Sequence, residues 1–248
     1  STANVLRQGG PNANGHTVNS AAPVRLRQFD LEAADLAPGE LPIAGALVIE
    51  AEDYNFESGQ QLAAASVMPY LGGAYAGRAA TLGVDYFNTD DNNSDLYRPD
   101  TAPNNVNLVP NLGGLYALDR PGWRVTSNYR EGWSQFGDWQ QYTRALPAGD
   151  YWIWAALSHG GVSPGQLSGS LDLVTGDASQ PNPALTQLGT FSGQGTGAYG
   201  NNRLVLLRDG TTAPYVLHVE AGTTTFRFNL GSGDFDWFVL IPTNSAPQ

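Results

Sequence analysis

The stretch VIEAEDYN at residues 48–55 decides how this chain begins its fold. Val48 and Ile49 start an apolar run typical of a buried strand, yet Glu50 and Glu52 lie within it. Residues i and i+2 of a strand project from the same face, about 6.5–7 Å apart, so the two carboxylates repel each other. Three arrangements relieve that repulsion: exposure to solvent, an acid/base pair like that of an inverting glycosidase, or a shared hard cation such as Ca²⁺.

A second stretch, GDFDWFVLIP at residues 233–242, repeats this pattern at the other end of the chain. Asp234 and Asp236 again lie two apart at the start of an apolar strand. If the first and last strands pair, as they do in many β-sandwiches, Asp236 meets Glu50 and Glu52. The two stretches together therefore favour a cation site that ties the ends of the domain.

The sequence between these stretches has the pattern of an all-β protein, with short strand candidates separated by turn residues. Gly and Pro are abundant, with 30 and 16 residues, and no long helical periodicity appears. The stretch YVLHVEAGTTTFRFNL at 215–230 has the pattern of a hairpin. Predicted strands cover 46–54, 78–84, 138–146, 150–158, 169–175, 203–208, 214–220, 223–230 and 235–241.

Three segments stand apart from this pattern. Residues 1–44 form a polar N-terminal arm or linker, rich in Gly, Asn, Ser and Pro in its first half. Residues 85–131 are long, polar and irregular, which is typical of an insertion into a compact domain. The predicted organisation is thus an arm, a β-sandwich at 45–243 with this insertion, and a short tail at 244–248.

Charge and composition exclude several function classes. The net charge is −11, and no basic cluster offers a surface to nucleic acid or to an anionic membrane. The chain has no cysteine, so it has neither disulfides nor thiolate ligands. No apolar run is long enough to span a bilayer, and no Ser/His/Asp or HExxH spacing supports a hydrolase.

Four blocks in order make residues 45–242 resemble the family 6 carbohydrate-binding modules and the related family 35. They are VIEAEDYN, EGWSQFGDWQQYTRALPAGDYWIWAAL, LGTFSGQGTGAY and APYVLHVEAGTTTFRFNLGSGDFDWFVLIP. The resemblance implies a jelly-roll β-sandwich that is secreted, bacterial and not an enzyme. It also implies a structural Ca²⁺ held by the side chains of Glu50, Glu52 and Asp236.

The same resemblance implies a sugar site in the loops at one end of the sandwich. Two aromatic rings clamp a sugar there, and Trp133 and Tyr199 are their nearest matches, although each is also open to simple loop packing. Asp234 stands where the family often has Asn, which keeps an acceptor but removes an amide donor. Two further sets of tryptophans are assigned differently: Trp139 and Trp237 are predicted to be core, while Trp152 and Trp154 are core or an exposed platform.

Three functions follow from these observations. The first is binding of a polysaccharide or other glycan through Trp133, Tyr199 and Asp234. The second is a structural subunit of an extracellular filament or surface assembly, in which the arm donates a strand to another copy. A glycosidase that uses Glu50 and Glu52 is the third, although one strand carries both acids and implies no cleft between them. The donor residues of the assembly hypothesis are Val24, Leu26, Phe29 and Leu31.

Overall fold

The computed structural model describes residues 45–66, 70–89, 108–110 and 129–243. The arm residues Val24, Leu26, Phe29 and Leu31 lie outside the described residues, as do the tail and most of the 85–131 segment. Within the described ranges no helix is long and apolar enough to cross a membrane.

The described chain is built almost wholly from strands, with one short 3₁₀ helix at Ala63–Ser66. In chain order the strands are β1 (Leu47–Glu50), β2 (Tyr86–Phe87), β3 (Leu108–Pro110), β4 (Tyr129–Glu131), β5 (Trp139–Leu146), β6 (Gly149–His159), β7 (Pro164–Val174), β8 (Leu185–Gln194), β9 (Ala198–Leu206), β10 (Val216–Val219), β11 (Gly222–Ser232) and β12 (Asp234–Pro242).

These strands form two antiparallel sheets. The seven-stranded sheet has the order β10–β6–β12–β4–β3, with β1 also paired to β12 and β9 to β6. The five-stranded sheet has the order β2–β5–β11–β7–β8. The chain passes repeatedly from one sheet to the other, and the first and last strands pair between Leu47↔Leu240 and Glu50↔Trp237. The prediction of an all-β, jelly-roll sandwich is confirmed.

Aromatic side chains fill the space between the two sheets. Phe228 of the five-stranded sheet lies 4.5 Å from Phe235 and 5.0 Å from Phe238 of the facing sheet, measured between ring centroids. Tyr142 meets Phe238 edge to face at 5.7 Å. All four rings are buried, and each contributes about 1.5–3 kcal/mol through the apolar surface it removes from water.

Several strand predictions were wrong. Residues 78–84 form turns and an isolated bridge rather than a strand, and β8 was not predicted at all. The stretch 215–230 is not a hairpin, because β10 pairs with β6 in one sheet while β11 pairs with β5 and β7 in the other. The Gly-containing turn between β10 and β11 is therefore a corner at which the chain changes sheets. The segment 85–131 is not wholly irregular either, since β2, β3 and β4 all lie in it.

Candidate functional site

A cavity of about 350 Å³ opens at one end of the sandwich. Four structural elements meet there: the end of β4 with the loop after it, the end of β6, the start of β9, and the turn from β11 into β12. Antiparallel pairing brings these strand ends together, since Ser158 lies opposite Asp234 and His159 opposite Ala198. The lining residues are Arg130, Gly132, Trp133, Ser134, His159, Tyr199, Gly231, Ser232, Gly233 and Asp234.

Trp133 stands at the tip of the β4–β5 loop with 74% of its surface exposed. Its backbone φ of 57° lies in the left-handed region, which is rare for a bulky residue and marks a loop held in a strained shape. Asp138 restrains the end of this loop that leads into β5. Its carboxylate accepts hydrogen bonds from the backbone amides of Gln135 and Thr89, each at 2.7 Å. A large indole face is thereby presented to solvent at the cavity mouth.

Tyr199 also lines the cavity, and 52% of its surface is exposed. Its ring packs at 5.5 Å from the His159 ring at a tilt of 53°. The Gly161 backbone amide donates a hydrogen bond to His159 Nδ1 at 2.8 Å, which fixes the orientation of the imidazole ring. A Cβ on Gly160 would lie only 2.9 Å from Tyr199 Cε2, so any side chain at this position would force the Tyr199 ring to shift.

An ion pair is also part of the cavity lining. Arg130 Nε donates to Asp234 Oδ2 at 2.6 Å, and the two side chains are only 16% and 7% exposed. Burial raises the pKa of Asp234 above its ordinary value, and the hydrogen bond and charge of Arg130 oppose that rise. The described residues offer Asp234 Oδ1 no hydrogen-bond partner. The cavity thus combines two aromatic rings with the Asp234 carboxyl, of which one oxygen is hydrogen-bonded to Arg130.

Glu131 lies buried directly beneath the Trp133 loop. Its Oε1 accepts a hydrogen bond from Ser134 Oγ at 3.0 Å and another from the Gln140 side-chain amide. Burial raises the pKa of this carboxyl to about 8, with smaller contributions from the charges of Asp138 and Asp234. Glu131 is therefore largely a neutral acid at pH 7, and it fastens the loop that carries one aromatic wall.

The three predicted sugar-site residues, Trp133, Tyr199 and Asp234, all line this cavity. Arg130, Glu131 and His159 were not singled out from the sequence. Arg130 and Glu131 lie three and two residues before the predicted platform at Trp133, and a charged pair so close to a predicted site was the available signal. His159 had no such signal, because only the pairing of β6 with β9 brings it beneath Tyr199.

The predicted calcium residues are all buried, with Glu50 and Asp236 at 1% exposure and Glu52 at 0%. The register of β12 against β6 shifts between Phe235 and Trp237, so Asp234 and Asp236 do not follow simple alternation. Asn202 Nδ2 donates to Asp236 Oδ2 at 2.5 Å.

Glu52 acts electrostatically on the Tyr142 hydroxyl in the interior, where burial is the main cause of a raised pKa. In the part of the chain described here, no three acidic, His or Cys side chains gather in a way that could hold a metal ion. The calcium site therefore stays a prediction.

Trp139 was predicted to be core and instead lies half-buried on the outward face of the five-stranded sheet. The guanidinium of Arg227 stacks 3.7 Å above its ring, and Phe87 stacks beside it at 6.3 Å. Cation–π packing of this kind stabilises an exposed aromatic without a hydrophobic core.

Trp154 and Trp237 are buried, and Trp152 is half-buried beside them. They lie on the outward face of the seven-stranded sheet, not between the sheets. Trp154 and Trp237 therefore belong to a second apolar cluster instead of the central core.

No protein-family model matches the sequence, and no curated protein matches it. Solved structures do match. The C-terminal family 6 carbohydrate-binding module of a laminarinase from Zobellia galactanivorans is 23% identical over 46% of this chain and 81% of its own, with a TM-score of 0.34.

A family 6 module from Clostridium stercorarium, solved with cellobiose, is 18% identical over 47% of this chain and 76% of its own, with a TM-score of 0.35. A family 35 module from Cellvibrio japonicus is 13% identical over 43% of this chain and 67% of its own, with a TM-score of 0.30. The matched modules come from the two families that the sequence blocks resemble.

Proposed function

We propose that this protein is a secreted, non-catalytic glycan-binding protein, and that the cavity between Trp133 and Tyr199 holds a sugar ring. The observation that carries the proposal is that one cavity is lined both by two exposed aromatic residues, Trp133 and Tyr199, and by the Arg130–Asp234 ion pair. A volume of about 350 Å³ lies at the small end of the range for ligand sites, which is about 300–1,000 Å³.

The chemistry of a sugar matches this combination. The axial-hydrogen face of a pyranose is apolar and packs on an aromatic ring, while its hydroxyl groups need polar partners at the rim. Asp234 Oδ1 can accept a hydrogen bond from a sugar hydroxyl, and the hydrogen bond and charge of Arg130 oppose the rise that burial causes in the pKa of this carboxyl. Because the two charges cancel, the site favours an uncharged sugar.

Calcium is the second part of this proposal. Glu50 and Asp236 lie on paired strands, are buried, and carry the hard oxygen donors that Ca²⁺ prefers. When bound, the ion would neutralise buried negative charge and join the first strand to the last. In this proposal the ion need not touch a sugar that is bound in the aromatic cavity.

Calorimetric titration of the full chain tests the sugar site. The ligands are soluble β-1,3-glucan, cellobiose and xylose, which are the sugars named for the matched modules. Trp133→Ala and Tyr199→Ala should each weaken binding about tenfold or more, since a tenfold change is only about 1.4 kcal/mol. Phe136→Ala is the matched control, because Phe136 is 91% exposed on the same loop but does not line the cavity.

Two results would remove the proposal. One is the absence of measurable heat with every glycan of a broad panel. The other is unchanged affinity in the Trp133→Ala, Tyr199→Ala double variant. Equal losses in the Phe136→Ala control would place the ligand on the loop tip instead of in the cavity.

A further inference from the structure

His159, the last residue of β6, lines the aromatic cavity beside Tyr199. The two rings lie 5.5 Å apart between centroids, and the Gly161 backbone amide donates a hydrogen bond to His159 Nδ1 at 2.8 Å. Among the described residues, no group forms a hydrogen bond with the other ring nitrogen, Nε2. The protein therefore engages one nitrogen of this imidazole and leaves the other for a ligand.

The backbone of His159 is also held in place, by the side chain of Thr196. Thr196 Oγ1 accepts a hydrogen bond from the His159 amide at 3.1 Å, and its own hydroxyl can donate to the carbonyl oxygens of His159 and Ala198 at 3.2 and 3.0 Å. Ala198 also lies opposite His159 in the pairing of β6 with β9. A ligand that bonds to Nε2 thus meets an imidazole already in position, which favours affinity because little conformational freedom is lost on binding.

His159 offers the cavity a hydrogen-bond donor that complements the Asp234 carboxylate. A carboxylate only accepts hydrogen bonds, and Arg130 Nε already donates to Asp234 Oδ2 at 2.6 Å. In a neutral imidazole one nitrogen accepts and the other donates, so an Nδ1 that accepts from Gly161 leaves Nε2 as the donor. His159 also acts electrostatically on Asp234, which places the two groups near each other in the cavity.

We propose that His159 binds the sugar directly, donating a hydrogen bond from Nε2 to a hydroxyl oxygen. The inference rests on the proposed glycan site and adds a residue that selects among sugars by the position of a hydroxyl group. Asp234 Oδ1 accepts from the sugar while His159 donates to it, so the preferred ligand presents hydroxyl groups to both. A sugar that lacks the hydroxyl group facing His159 leaves Nε2 unpaired, and it should bind more weakly by about tenfold or more.

A different role for His159 would be to hold the turn after β6 through its bond with Gly161. In that role Nδ1 matters and Nε2 does not, whereas direct binding requires Nε2. The packing of the imidazole on Tyr199 serves either role. Substitutions that retain one nitrogen position at a time therefore distinguish direct binding from support of the turn.

His159→Asn and His159→Gln form this pair of variants. The Asn amide ends where Nδ1 stands and can still accept from the Gly161 amide, but it leaves the Nε2 position empty. The longer Gln amide reaches the Nε2 position and can donate there, but it loses the bond with Gly161. Both variants lose the ring that packs on Tyr199, so that loss is matched between them.

Calorimetric titration of the full chain with β-1,3-glucan, cellobiose and xylose compares the two variants with wild type. His159→Gln should bind at least about tenfold more tightly than His159→Asn, since only Gln replaces the donor. Equal affinities, or tighter binding by His159→Asn, would overturn the proposal and assign His159 to support of the turn. If wild type binds no glycan of a broad panel, the proposed function itself fails and this inference fails with it.

Nitrogen NMR of the imidazole rings gives a second readout. The sequence has three histidines, His16, His159 and His218, and the signal lost in His159→Gln identifies the one in the cavity. Saturating glycan should shift the Nε2 resonance of His159. His218 is the internal control, because its Nδ1 lies 2.6 Å from Asp150 near the opposite end of β6, and its resonances should stay unchanged. A wild-type protein that binds glycan without a shift at His159 Nε2 would contradict the proposal.

Discussion

Glu131 illustrates how burial decides the chemistry of a single side chain in this protein. Its carboxyl lies beneath the Trp133 loop and has a pKa of about 8 in the fold, against an ordinary value of 4.5. Below pH 4.5 it is protonated in both the folded and unfolded states, and above about pH 8 it is ionised in both. Between these values the folded state binds one proton more, so stability falls as the pH rises.

The residue-scale prediction is that Glu131→Gln removes this pH dependence. The amide is neutral at every pH and keeps an oxygen that accepts from Ser134 and Gln140. Relative to the variant, the wild-type protein should lose about 1.4 kcal/mol of unfolding free energy per pH unit between pH 5 and pH 8. Urea unfolding at pH 5, 6, 7 and 8 measures the difference.

Asp177→Asn is the control for this measurement. Asp177 is exposed, and hydrogen bonds from Ser179 lower its pKa below 3.8, so it stays ionised throughout this range. If the free energy of unfolding changed with pH in the same way for wild type and Glu131→Gln, the pKa of Glu131 in the fold would be its ordinary one.

At the scale of elements, the turn after β6 decides where Tyr199 stands. A methyl group on Gly160 would meet the Tyr199 ring at 2.9 Å, which no relaxed Cβ contact allows. Gly160→Ala should therefore move the ring and weaken glycan binding about tenfold, while the strands stay folded. Calorimetric titration gives the affinity, and circular dichroism checks the fold.

Gly210→Ala is the matched control for this substitution. Nothing lies within 4 Å of a Cβ at Gly210, so the added methyl points into open space. It should leave the affinity for glycan unchanged. Wild-type affinity in Gly160→Ala would mean that the position of Tyr199 does not matter to the ligand.

The prediction about calcium concerns the paired strands β1 and β12, which hold Glu50 and Asp236. If Ca²⁺ is held by Glu50, Glu52 and Asp236, a hundredfold excess over its Kd should stabilise the fold by about 2.7 kcal/mol. Scanning calorimetry with Ca²⁺ and with a chelator measures the shift, and Asp236→Asn should abolish it. The same Tm in Ca²⁺ and in chelator would rule out the ion and leave the Asn202 amide as the described contact of Asp236.

At the scale of the whole molecule, stability depends on the aromatic contacts between the sheets. Phe228 is 0% exposed and touches Phe235 and Phe238 across the sandwich. Phe228→Ala should lower the free energy of unfolding by about 3–5 kcal/mol through lost burial and the cavity left behind. Phe136→Ala, at an exposed ring, should stay within about 0.5 kcal/mol of wild type in the same denaturant titration. A small loss at Phe228 would show that the core closes over the gap.

Sequence periodicity located a strand most reliably where one face of the strand, or both faces, consist of apolar residues. The strands predicted at 138–146 and 150–158 were found because apolar residues recur at a period of two or fill both faces. β8 was missed because LTQLGTFSGQ carries few apolar residues, and its place at the edge of a sheet needs few. Residues 78–84 alternate in part but lie among turns, so local pattern alone misassigned them.

By itself, the sequence determined the all-β class, the pairing of the first strand with the last, and the aromatic candidates Trp133 and Tyr199. These features depend on local periodicity and on residue chemistry, which a linear chain displays directly. Only the tertiary structure decided that Arg130 pairs with Asp234, that burial raises the pKa of Glu131, and that the outward sheet face is buried. Each of these depends on the distances and solvent access created when strands distant in sequence become neighbours in space.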